Sequence, residues 1–103
     1  MSATASFQIS RNTDAPDVIP YFNWDAPVTN AEVRDALAHG TEEDRLFWTA
    51  RILSEARYAD VWRYLSLSRD VLPRWERVRV RLGRKRRFWE YLVRGWRHDG
   101  FIS

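Results

Sequence analysis

One hundred and three residues with no cysteine, a net charge of +3 and 15% aromatic side chains describe one small domain built on an aromatic-rich core. They exclude a disulfide scaffold and thiolate-based metal or redox chemistry. No run approaches the roughly 18 apolar residues of a membrane span, and the N-terminus lacks the apolar centre of a secretory signal, so a soluble cytoplasmic protein is expected.

Charge is spread unevenly along the chain. Residues 1–73 hold seven Arg and no Lys against eleven Asp and Glu, whereas residues 74–103 hold nine Arg and Lys85 against three acids. The basic last third directs attention to an anionic partner. Arg outnumbers Lys sixteen to one. A GC-rich genome accounts for such a bias, and so does selection for forked, planar contacts to carboxylate or phosphate.

Residues 1–20 are poor in bulky side chains and rich in Ser, Thr, Ala and Asp, a composition that predicts a flexible tail. The alternation of Phe7 and Ile9 leaves room for a short strand. Tyr21 to Pro27 differs. Three aromatics in four residues, between Pro20 and Pro27, cannot make a regular helix face and are expected to form an extended, irregular arm. Phe22 and Trp24 would pack on the helical body, or the arm would serve as an aromatic docking patch. Thr29-Asn30-Ala31-Glu32 has the form of a capping box, with Val28 and Val33 at the staple positions. The helix it opens carries Val33 and Leu37 inward, has His39 in its last turn and ends at Gly40, read as a left-handed stop.

Thr41 to Leu65 is the centre of the chain. Thr41 is a good N-cap, and Glu42, Glu43 and Asp44 place negative charge at the positive end of the helix. Leu46, Ala50, Ile52, Leu53 and Ala56 share an arc of roughly 160°, wide enough to meet neighbours on two sides. Phe47 and Trp48 stand on its shoulders. A corner at Arg57 to Asp60 turns into a second helix capped by Asp60, with Val61 and Leu65 inward. Pro73 suits the first position of another helix. Arg77 to Leu82, RVRVRL, fits a strand as well as a helix; helix is expected because no pairing strand or hairpin turn lies nearby. Gly83 breaks the run, and Arg84 to His98 is an amphipathic helix. Phe88, Trp89, Leu92, Val93 and Trp96 span roughly 140°, with Arg86, Arg87, Arg94 and Arg97 opposite. Gly100 stops it, and Phe101 or Ile102 folds back. Trp48, Trp62, Trp75 and Trp89, at intervals of 14, 13 and 14, read as one large core residue per helix and not as a repeat.

Chemistry is sparse. His39 and His98 stand apart at helix ends, no donor set has metal-ligand spacing, and no nucleophile has a base beside it. The four scattered Gly form no phosphate loop. No enzymatic activity, metal or cofactor is expected. The strongest surface signal is Arg84-Lys85-Arg86-Arg87, cations at the positive end of a helix, where an anion would offset the unfavourable dipole interaction. Phosphate is one such anion, an acidic protein groove is another, and a plainly solvated surface is the third reading. The helix has no Asn or Gln to read base edges, so nucleic acid would be held by its backbone. Membrane-surface binding is weaker still, because the apolar face belongs to the core.

The order of features carries a family likeness. An aromatic opener ending in Trp24-Asp25 precedes a short capped helix and an acidic-capped one. Asp60-Val61-Trp62-Arg63-Tyr64-Leu65 and a basic closing helix with Phe88-Trp89-Glu90 follow. Over about Tyr21 to Ser103 the chain resembles small uncharacterised bacterial proteins encoded beside AbiE-type nucleotidyltransferase toxins. The resemblance implies an antitoxin-like partner role. It brings no functional residues with it. The chain lacks the recognisable winged-helix domain of better-known antitoxins.

The expected fold is all-α: a compact bundle of about five short helices with an irregular aromatic N-terminal arm, residues 21–103, behind a flexible tail of residues 1–20. The expected core is Phe22, Trp24, Val33, Leu37, Leu46, Ala50, Leu53, Val61, Leu65, Phe88, Leu92 and Trp96. The expected function is a non-catalytic protein-interaction module, resembling an antitoxin-like partner of a nucleotidyltransferase-type toxin. Its candidate surface is Tyr21, Trp24, Trp48, Arg86, Arg87, Arg94 and Arg97. The rival is a small nucleic-acid-binding protein using Arg84, Lys85, Arg86, Arg87, Arg94 and Arg97.

Overall fold

A computed structural model describes residues 9–102, with side chains from residue 11 onward. It is all-α, with five α-helices among the described residues: α1 (Asn30–His39), α2 (Glu42–Glu55), α3 (Tyr58–Tyr64), α4 (Trp75–Val78) and α5 (Arg86–His98). Short π and 3-10 turns fill Leu67–Val71, Leu72–Arg74, Arg79–Arg81 and Gly83–Lys85. A two-residue parallel pair joins β1 (Ile9–Ser10) to β2 (Ile19–Pro20), with Ile9 opposite Ile19.

The first eight residues of the expected tail, Phe7 included, lie outside the described residues. From residue 12 the chain is fastened to the bundle. The buried Asn30 amide donates to the carbonyls of Asn12 and Ala15, both at 2.8 Å, while Asn30 N–H reaches Val18 O at 2.9 Å. Ile19 and Thr13 are buried.

Both N-caps form as the sequence requires. Thr29 and Glu32 make a reciprocal capping box, and Thr41 makes another with Asp44. Gly40 does end α1, but in extended backbone, φ −74°, and not in the left-handed region. Its reason is space: a Cβ there would lie 2.5 Å from Ala36 O and 2.9 Å from Asp44 Cβ. Glycine lets α1 and α2 meet across a two-residue joint.

α3 starts earlier than Asp60. Its N-cap position is Arg57, which makes no side-chain cap. The cap comes instead from the arm: Arg57 N–H donates to Tyr21 Oη at 2.8 Å, and that hydroxyl donates to the Asp60 carboxylate at 2.6 Å. The segment around Pro73 is helical as expected, and RVRVRL continues as helix. Val78 and Leu82, four residues apart, are buried while Val80 is exposed, which a strand would not allow.

The core corrects four expectations. Trp24 is 68% exposed, because the 3-10 turn Tyr21–Asn23 points Phe22 and Asn23 inward and leaves the next residue outside. Phe88 is 45% exposed, and Leu92 and Trp96 are only half-buried. α5 is rolled roughly 50° from the centre of its apolar arc, so that Trp89 and Val93 point inward. The cause is polar: Trp89 Nε1–H donates to Leu53 O at 2.9 Å inside the core. Leu53 is near the end of α2, where carbonyls lack helical partners. Tyr64, Val71, Trp75, Val78 and Leu82 complete a core that the apolar arcs alone did not name. At the end of α5, Gly100 is left-handed (φ +82°), and Phe101 N–H donates to Trp96 O at 2.9 Å, closing the stop the sequence called for.

Candidate functional site

The roll of α5 leaves an aromatic surface between α3 and α5. Tyr58 stacks on Trp89 with ring centres 5.6 Å apart and meets Phe88 edge-on at 6.1 Å. Trp62 packs edge-on against Trp89 at 5.8 Å and against Trp96 at 6.3 Å. Only Trp89 of this group is buried; Trp62 and Trp96 are half-buried, and Tyr58 and Phe88 are nearly half exposed. Tyr91, one turn on from Arg87, is 70% exposed. Tyr91, Leu92, Gly95 and Trp96 line a cavity of about 380 Å³ with Arg94, His98 and Asp99. Contiguous aromatic surface of this kind on a small chain marks contact sites.

The basic face expected opposite it is divided. Arg86 and Arg79 both bind Glu90, at 2.9 and 2.7 Å, and Arg79 also holds Glu76 at 2.9 Å. These guanidinium groups hold the Glu90 carboxyl below its usual range, Arg86 having the larger effect. Arg94 and Arg97 border a cavity of about 360 Å³ whose walls include both Glu76 and Glu90. Arg84 and Lys85 lie on the preceding 3-10 turn and line a different cavity. Arg87 is exposed beside Tyr91 on the helix surface. The six candidate cations therefore do not form one unbroken stripe.

Of the remaining candidates, Tyr21 is committed to the fold as the latch between the arm and α3. Burial raises its phenol pKa, and the Asp60 hydrogen bond adds to that. Trp48 is half-buried on the core and meets Phe47 edge-on at 5.0 Å. Trp24 is free at its ring, and its neighbour Asp25 is paired with Arg51. Trp24 and Trp48 thus lie on the α2 side, apart from the cluster on α3 and α5. The sequence reading missed Tyr58, Trp62 and Tyr91 as surface residues. Tyr91 had a signal: it is an aromatic flanked by Arg87 and Arg94 at helical spacing on the polar side.

No family model, curated protein or solved structure matches the chain. Among the described residues, no group of three or more His, Cys, Asp or Glu could hold a metal ion, and no helix is long and apolar enough to cross a membrane.

Proposed function

We propose that the chain is a non-catalytic protein-interaction module that docks its partner across the aromatic face of α3 and α5. The observation that supports this reading is the shared exposure of Tyr58, Phe88 and Tyr91 over half-buried Trp62 and Trp96. Aromatic anchors beside half-buried aromatics are the composition of binding hot spots. Arg87 and Arg94 flank Tyr91 and pair with no described carboxylate, so the complementary surface is apolar with acidic neighbours. The family resemblance supplies a first candidate, a nucleotidyltransferase-type toxin for which this chain would act as an antitoxin-like partner. Cations alternating with an exposed aromatic also favour a second reading, single-stranded nucleic acid stacked on Tyr91.

The test is recovery of tagged protein from its native lysate with and without nuclease, alongside an exposed double variant, Phe88→Ser with Tyr91→Ser. A stoichiometric protein retained after nuclease by the wild type and lost by the variant, at unchanged helical circular dichroism, supports docking. Nucleic acid that dissociates as salt rises, with no retained protein, overturns it in favour of the second reading.

A further inference from the structure

Two adjoining cavities share Ser54, Glu55 and Arg81. The smaller, about 270 Å³, follows α2 past Phe47 and Arg51. The larger, about 560 Å³, opens against Gly83, Arg84 and Lys85. Neither touches the aromatic face of α3 and α5, and the docking reading leaves both unused. Three features of this groove bear on a ligand. Arg84 and Lys85 pair with no described carboxylate, although they stand beside Arg81 and Arg86 in a run of like charge. Ser54 Oγ is buried with no hydrogen-bond partner, and so is Arg51 Nε. Gly83 takes φ +53°, and a side chain there would meet nothing within 4 Å, so the backbone is open to an approaching group.

We propose that this groove binds a small phosphate ester. The phosphate sits among Arg81, Arg84 and Lys85. Arg81 gives Nη1 to Glu43 at 3.0 Å and keeps the other donors of its guanidinium fork for the ligand. Glu55 is the discriminating residue. An exposed carboxylate in a cationic groove repels a bare anion but accepts a hydrogen bond from a hydroxyl carried next to the phosphate. Phe47, nearly half exposed at the far end beside Arg51, offers apolar surface to an organic group. A nucleic-acid strand would require a continuing row of cations, and here the row is interrupted by Glu55 and by the Arg81–Glu43 pair.

Calorimetric titration with adenosine monophosphate, inorganic phosphate and adenosine tests the site on the full chain. Adenosine monophosphate should bind best and adenosine not at all. Arg84 and Lys85 are exposed, so the double variant Arg84→Ser, Lys85→Ser keeps the fold and should weaken the nucleotide by about tenfold or more. Arg94→Ser, outside the groove, should change nothing. Glu55→Gln relieves repulsion for both anions but weakens the acceptor offered to the ester's hydroxyl, so it should strengthen inorganic phosphate more than adenosine monophosphate. Absence of saturable binding by either phosphate, or binding indifferent to the double variant, overturns the site. Equal strengthening of both ligands by Glu55→Gln overturns the ester assignment. An oligonucleotide that binds more tightly than the mononucleotide, and weakens equally with Arg94→Ser, overturns the compact ligand.

Discussion

Asn30 is fully buried, and its side chain is used on both sides. Its Nδ2 holds the carbonyls of Asn12 and Ala15, and its Oδ1 accepts from Tyr64 Oη at 2.6 Å. Burial pushes the Tyr64 pKa up to about 12, so the phenol stays a donor. Asn30→Ala would leave the buried Tyr64 hydroxyl without its acceptor and remove the donor that holds the Asn12 and Ala15 carbonyls to the bundle. The expected cost is about 3 kcal/mol, read from urea unfolding. Gly40→Ala is a steric case: the added methyl meets Ala36 O in a joint with no slack. It should cost roughly 1–3 kcal/mol by the same measurement, with α1 and α2 pushed apart. At this scale the sequence shows what but not always why. Asn30 reads as the second residue of a capping box, because its three partners lie 15 to 34 residues away. Gly40 reads correctly as a stop, yet its cause is the approach of another helix, which no local pattern displays.

α1 and α2 begin with local caps, and several helix ends are closed by remote side chains. Thr29 and Thr41 find their partners three residues on, and such caps are legible in any sequence. Carbonyls at the C-terminal ends are satisfied by long side chains from elsewhere. Arg45 Nη2 donates to Ala38 O of α1 at 3.1 Å, Arg34 Nη2 to Arg63 O of α3 at 3.1 Å, and the Trp89 indole to Leu53 O of α2. Forked arginines are thus used inside the molecule, as bridges between one helix and the next. Trp89→Phe keeps an aromatic side chain but removes the donor with its five-membered ring, leaving a buried carbonyl unpaired. It should cost about 1–3 kcal/mol in urea unfolding. Because the indole also fixes the roll of α5, a change in near-ultraviolet dichroism from the Tyr58, Trp62 and Trp96 cluster should accompany it. The amphipathic pattern located α5 and its stop at Gly100. It could not locate the roll, since an arc of five apolar residues is compatible with several orientations and one hydrogen bond chooses among them. Phe88 was assigned to the core and Tyr91 to none for that reason.

Across the whole molecule the uneven charge closes on itself. Arg74, almost completely buried, and Arg77 both reach Glu42, at 2.8 and 2.9 Å, and Arg81 reaches Glu43 at 3.0 Å. The basic last third is spent partly on the acidic start of α2, whereas the sequence pointed to an anionic partner or a solvated surface and not to a pairing within the chain. Arg74 above all holds the Glu42 carboxyl below its ordinary value of 4.5, as Arg86 and Arg79 do for Glu90. Both acids bind protons less readily folded than unfolded. Their contribution is therefore present above pH 4.5 and is lost as pH falls from there through the lowered values. The melting temperature should decline over that acidic range, more gently in Glu42→Gln, and more steeply at low than at high salt. This pairing also orders events in time. A chain made from its N-terminus exposes Glu42, Glu43 and the Leu53 carbonyl well before Arg74, Arg81 and Trp89 emerge to meet them. Until α5 leaves the ribosome, α2 lacks the indole donor for its Leu53 carbonyl. A ribosome stalled short of Trp89 would hold a chain open to proteases and chaperones, and release of about one further helix would shut it.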